Sequence, residues 1–207
     1  MSLRARKRQQ TRQELISAAM RLFEESGYER TTVAEIASAA GVSTKTFFNY
    51  FASKDEVLFP HLSRRIDAAV ALIDQRGPDD QMADILVAAM QHMLADALTE
   101  EVDGGLAAVR LPMIMSVPAV QAATLHRYFL AETQLAHALQ RAYSDTLDLA
   151  AAAAVIGSVM GAAIAAALVR LQDGGTAEQL RAAVESAIGI AINGVHNIPT
   201  GIHRNPR

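Results

Sequence analysis

Between Thr32 and Lys54 the sequence marks helix starts on either side of one glycine, Gly41, and so leaves room only for short helices meeting at a tight turn. The markers are capping boxes, in which a Ser or Thr hydroxyl accepts from the third backbone N–H and a Glu there reaches back. Thr32 with Glu35 is one; Thr11 with Glu14 and Ser53 with Glu56 have the same spacing. A first helix is expected from Thr11 to about Ser26, with Ile16, Met20 and Phe23 on one face and Gly27 as its stop. A second runs from Val33 to Gly41 with Ile36, Ala37 and Ala40 inward. A third starts at Ser43, and a fourth after Ser53.

The third helix differs from its neighbours. Ser43 is its N-cap, but Thr46 stands where an acid is usual, and from Val42 to Lys54 there are two lysines and no acidic residue. A glutamate in the first turn normally stabilises a helix through the macrodipole, so its omission suits an end that meets phosphate. A simple tolerance of Thr46 at that position accounts for the same feature without a ligand. The spacing is more informative. A helix-turn-helix needs a small residue where the helices cross, a glycine in the turn, and apolar positions that lock the second helix at a steep angle. Ala37, Gly41, Val42 and Phe47 meet those needs, with Ile36 and Phe51 filling the core. Thr44, Lys45, Thr46, Phe48 and Asn49 then face outward, where small polar and basic groups can reach base edges or backbone.

The stretch from Thr32 to Leu58, TTVAEIASAAGVSTKTFFNYFASKDEVL with its preceding Thr31, resembles the signature of the tetracycline-repressor (TetR) family, and TRQELISAAMRLFEESGYERTT resembles that family's first helix and loop. The resemblance covers about residues 11–60 and continues beyond only as a pattern of helices. It implies an all-α fold with an N-terminal helix-turn-helix on a helical regulatory body. It also implies that Thr32 and Lys54 hold phosphates, that Thr44, Lys45, Thr46 and Asn49 face the major groove, and that Tyr50 contacts the backbone. Phe48 departs from the pattern, because many members carry a tyrosine there whose hydroxyl binds phosphate. Its part is open between thymine methyls, sugar and packing. Arg4, Arg6, Lys7 and Arg8 read equally well as a flexible DNA-contacting arm or as a solvated basic tail.

Charge and aromatics divide the chain in the same place. Residues 1–65 hold 11 Lys+Arg against 7 Asp+Glu, and the rest 8 against 15, giving +4 and −7. A basic end on an acidic body suits a protein that offers that end to a polyanion. Of ten aromatics, Phe23, Tyr28, Phe47, Phe48, Tyr50, Phe51 and Phe59 lie in the same 65 residues, as a small helical core requires. The expected division is a helix-turn-helix domain over 1–53 with its basic arm, a regulatory and dimerisation domain over 54–195 entered by a linking helix 54–75, and a polar tail over 196–207.

Beyond Pro60, glycines and prolines separate helices near 54–75, 79–98, 105–115, 118–142, 145–172 and 176–195, about nine in all. Leu149 to Val169 is an uncharged run of 21 residues. Nearly half of it is alanine and no aromatic belt or basic cluster flanks it, so burial in an oligomer fits better than a bilayer. Gly157 and Gly161, with Ala187, Ile188, Ala191 and Ile192 on the last helix, suggest two helices per subunit pairing with two from a partner, as the TetR resemblance also implies. Met90, Met93, Met113 and Met160 suit either an adaptable cavity or ordinary filler. Arg110 either meets a ligand carboxylate or pairs with a neighbouring acid, and Tyr128 is one of three aromatics after residue 65.

These features weigh against an enzyme: there is no cysteine, nucleophile elbow, phosphate loop, dinucleotide fingerprint or zinc-protease motif. His126 and His137 lie three turns apart on one face, too distant for one ion, so neither metal nor cofactor is expected. The reading is a cytoplasmic regulator with no membrane role: a homodimer that binds a palindromic duplex and is released by a small molecule, mainly aliphatic or acyl-type. A helical DNA-binding protein without such control is the alternative.

Overall fold

The computed structural model describes residues 2–77, 79–98 and 106–194. The expected tail at 196–207, the Gly104-Gly105 break and Pro78 lie outside the described residues. Those residues form nine α-helices and one 3-10 turn, with no strand among them. They are α1 (Leu3–Ser26), α2 (Val33–Ala39), α3 (Thr44–Phe48), the 3-10 turn Asp55–Leu58, α4 (Leu62–Asp74), α5 (Met82–Leu98), α6 (Leu106–Ser116), α7 (Pro118–Ala142), α8 (Leu149–Gln172) and α9 (Ala177–Asn193).

The helices expected near 79 and 145 begin at Met82 and Leu149, and two earlier starts differ more. The first helix begins at Leu3, because Ser2 accepts from the Ala5 N–H and nothing between them and Thr11 breaks a helix. Thr11 is therefore interior, and Glu14 instead accepts from the Gln10 side chain at 3.0 Å. The Ser53–Glu56 box does not form. Glu56 accepts from the Ala52 N–H, and the chain makes the short 3-10 turn, passes His61 at φ 65°, and only then enters α4.

The chain divides into two compact units, with boundaries inside α4 and α7. The first unit holds the chain through Ser63, together with α6 and the start of α7 through Arg127. Its core joins Leu15, Ile16, Ala19 and Phe23 of α1 to Ile36 and Ala37 of α2, Phe47 of α3, and Phe51. Val57 and Leu58 of the 3-10 turn, Met113 of α6 and Val120 of α7 complete it. Each large side chain so buried contributes roughly 1.5–3 kcal/mol. Arg127 of α7 pairs with Asp55, and both Arg127 and Arg110 of α6 lie over the Phe59 ring, at 5.1 and 5.6 Å.

The second unit contains α4 from Arg64, α5, α7 from Tyr128, α8 and α9. Here α8 and α9 pack along each other, burying Ile156, Val159, Met160, Leu180, Val184 and Ile188. Asp148 and Thr176 cap the two helices, the latter in a full capping box with Gln179. Arg76, just past α4, donates to the Ala142 carbonyl at 2.7 Å, and Arg141 pairs with Asp74 at 3.0 Å. These contacts hold the end of α4 to the end of α7. The two glycines of α8 play separate parts. A Cβ at Gly157 would lie 2.8 Å from the Glu132 carboxylate of α7, so that glycine gives room to a helix of its own chain. Gly161 faces open space.

The Arg127–Asp55 pair is only 20 % and 26 % exposed, so each charge depends on the other for solvation. Arg127→Leu is expected to destabilise the first unit by about 1–3 kcal/mol. Native-state hydrogen exchange should show faster opening of α1 amides, with α8 and α9 unaffected.

Candidate nucleic-acid interface

The site grows from two short helices that could not persist alone. Thr32 accepts from the Glu35 N–H at 3.2 Å, while the Glu35 carboxylate accepts from the Thr32 N–H at 2.7 Å and its hydroxyl at 2.8 Å. Those donors, the backbone one foremost, hold the Glu35 carboxyl below the ordinary range. Gly41 turns the chain at φ 67°, a left-handed conformation that a side chain would strain. Its N–H donates to the Ser38 carbonyl, and Val42 N–H to that of Ala37, closing the turn at 3.0 and 2.9 Å. Ser43 then caps α3 by accepting from the Thr46 N–H at 3.1 Å, and the two hydroxyls lie 2.9 Å apart.

Five residues make only a little over one turn, so α3 is held by what it buries. Phe47 is 0 % and Phe51 1 % exposed, their rings 5.6 Å apart. With that side fixed inward, Thr44, Lys45, Phe48 and Asn49 are exposed together, and Thr46 and Tyr50 are half-buried at the margin. Phe48 stands edge-on to Phe47 and is 56 % exposed, a large apolar ring on an otherwise polar face.

Lys54 is tied into the fold. Its ammonium donates to the carbonyls of Tyr28 and Thr31 at 2.7 and 2.9 Å and sits 4.1 Å from the centre of the Tyr28 ring. Thr31, buried, donates from its hydroxyl to the Gly27 carbonyl at 2.9 Å, so the α1–α2 loop is closed on both sides. Burial, then the nearby charge of Asp55, pushes the Tyr28 hydroxyl up to about 12.

The family model for bacterial regulatory proteins of the TetR family matches residues 15–59. The chain is also 34 % identical over 149 residues to the transcriptional regulator TcmR of Streptomyces glaucescens, covering 70 % of this chain. The chain belongs to the TetR family. The TcmR match spans 66 % of that protein's length, just under two thirds. Two solved structures share the fold at low identity. The fatty acid degradation regulator FadR from Bacillus halodurans is 20 % identical with a TM-score of 0.60, covering 88 % of this chain and 98 % of that one. FadR from Bacillus subtilis, solved with stearoyl-CoA, is 19 % identical with a TM-score of 0.54, covering 89 % and 99 %.

Within this TetR-family chain, the sequence-predicted residues fall into three sets. Thr44, Lys45, Phe48 and Asn49 share the open face of α3. Ser43 and Thr46 lie at the start of α3, and together with Thr32 and Lys54 they carry the local structure, through caps and through the Lys54 clamp. Arg8 was read only as part of the basic arm and Arg12 was not singled out, yet Arg8 lies 5.9 Å over the Tyr50 ring and Arg12 4.6 Å over that of Phe51. For Arg12 the one signal in the sequence is the absence of any acid before Glu14.

The six residues read as a ligand set divide between the units. Arg110 donates to the Leu58 carbonyl at 3.0 Å and Met113 is buried in the first unit's core. Met90 and Met160 are buried in the second unit, with Met93 and Tyr128 half-buried there. Burial, then Glu132, pushes the Tyr128 hydroxyl up. Among the described residues no group of three or more His, Asp or Glu is placed to hold a metal.

Replacing Lys54 with Met removes two charge-assisted hydrogen bonds and leaves two carbonyls short of a donor. A loss of about 1–3 kcal/mol is expected in urea unfolding without DNA present. Tyr28 sets a second expectation. Its folded value lies above the ordinary 10, so the stability it contributes is complete below about pH 10 and fades as pH rises toward about 12. Tyr28→Phe should flatten that part of the alkaline decline, seen by circular dichroism at fixed urea.

Proposed function

We propose that this protein is a cytoplasmic homodimeric transcriptional repressor that binds a palindromic duplex through α3 and is released by a small molecule. The observation that carries the DNA part is the open, acid-free face of Thr44, Lys45 and Asn49, held outward by the buried Phe47. Lys45 is suited to a guanine edge and Asn49 to an adenine edge. Ser43, Thr46, Tyr50 and Thr32 border this face toward the phosphates, and Lys54 has one N–H direction left after its two carbonyls. Phe48 brings an apolar surface that fits thymine methyls or sugar.

Dimerisation is supported by α8. Its most apolar stretch has a mean hydropathy of 2.2 with 28 % of it buried within the chain. Ile164, Val169 and Ile190 are exposed, and Ala162, Ala166, Ala183 and Ala187 line an open groove of about 460 Å³ between α8 and α9. A soluble monomer rarely leaves so continuous an apolar surface to water, and a second copy would cover it. Two α3 helices must then be presented about 34–36 Å apart, or at a multiple, to meet successive major grooves.

The effector proposed is mainly aliphatic or acyl-type, received by the second unit beside Met90, Met93, Tyr128 and Met160. Flexible methionines and few aromatic rings suit a chain better than a flat drug, and the stearoyl-CoA held by the Bacillus subtilis FadR is in keeping with this. Such a ligand releases DNA only by binding better to the conformation with the wrong spacing. Repression follows most simply, because bound protein obstructs polymerase without further contacts.

Selection of bound sites from random duplexes tests the reading. The expected product is a palindrome, with Lys45→Ala relaxing the preference at one position per half-site by about 1–3 kcal/mol. Failure of the wild-type protein to enrich any sequence would overturn it. Gly161→Leu is expected to give monomer or aggregate by light scattering; because nothing in the chain lies within 4 Å of a Cβ there, its own fold does not oppose the change.

A further inference from the structure

We infer that the first turns of α1 form a second DNA contact, in which Arg4 and Arg8 grip the phosphate strand passing Tyr50. This rests on the proposed role of α3 and extends it to residues outside the helix-turn-helix. All the buried residues of α1 lie from Leu15 onward, and residues 2–10 are exposed, so the helix runs well past the core that holds it. That overhang carries Arg4, Arg6, Lys7 and Arg8 with no acid before Glu14. Among the described residues none of the four is paired with a carboxylate. Like charges four apart, as at Arg4 and Arg8, destabilise an isolated helix, so the pattern is unfavourable unless an anion meets it.

The helical register gives the overhang a direction. At 100° per residue Arg4, Arg8 and Arg12 share the face of Leu15 and Ala19, both fully buried. That face passes along the segment just after α3: Arg12 lies over Phe51 and Arg8 over Tyr50. Arg4 is one turn further out, about 6 Å along the axis. Two guanidiniums a turn apart, beginning at Tyr50 just past α3, fit neighbouring phosphates of the strand whose groove α3 enters. Arg6 lies on the opposite side of the helix and Lys7 well off this face, which makes them an internal control with the same charge.

The test is fluorescence anisotropy with a long mixed-sequence duplex, following affinity against KCl from about 50 to 200 mM. Arg4→Ala with Arg8→Ala should make the slope of log K against log salt shallower by about 2 units, since each lost phosphate contact removes about 0.9. Arg6→Ala with Lys7→Ala should leave the slope near the wild-type value, and Arg8→Lys should retain it. Thermal melts at these exposed positions should match wild type. Equal losses in the two double variants would overturn the inference in favour of diffuse attraction, and no loss in the first would overturn it outright. Wild-type protein that fails to bind any duplex would instead count against the role of α3 itself.

Discussion

The arrangement depends on the burial of Phe47. A five-residue helix has too few internal hydrogen bonds to persist in water, so α3 exists as a helix only because one side chain anchors it among α1 and α2. Burying that ring contributes roughly 1.5–3 kcal/mol, and the Ser43 cap about another 1. The same anchor decides orientation. Once Phe47 points inward, the period of the helix leaves Lys45 and Asn49 pointing out, and Thr44 is exposed in the first turn. The burial that stabilises α3 thus also sets which way the helix faces, with Gly41 supplying the backbone angle that lets α2 hand over to α3.

Around this anchor lies a ring of contacts between residues distant in sequence. Lys54 holds the loop between α1 and α2, from 23 and 26 residues away. Arg110, Arg127 and Met113 bring α6 and the start of α7 into the same unit through Leu58, Asp55 and the shared core. The first unit is therefore built from more than the N-terminal segment. A shift of α6 or of the start of α7 would act directly on the 3-10 turn that ends the helix-turn-helix.

Local chemistry was legible in the sequence, and long-range chemistry was not. The Thr32–Glu35 box, the Ser43 cap and the turn at Gly41 each depend on residues within five positions, and the structure has all three. Thr11–Glu14 and Ser53–Glu56 share the spacing but not the outcome, since α1 was already under way at Thr11 and Glu56 found the Ala52 N–H instead. The outward face of α3 followed from the helical period. The partners of Lys54, Arg110 and Met113 did not, because nothing local signals a carbonyl or a core two or more helices away. The two glycines of α8 make the same point: identical residues four apart, of which Gly157 accommodates Glu132 of α7 and Gly161 meets open space.

In the proposed complex two copies of α3 enter successive major grooves about a helical turn apart, or a multiple of it. Methylation interference at guanine N7, which lies in the major groove, tests this most directly on a duplex recovered by the protein. Two clusters of interfering guanines related by a dyad are expected, centred about 10–10.5 base pairs apart or at a multiple of that spacing. Interference at a single cluster, or none at guanine N7 with strong effects at minor-groove adenine N3, would contradict it.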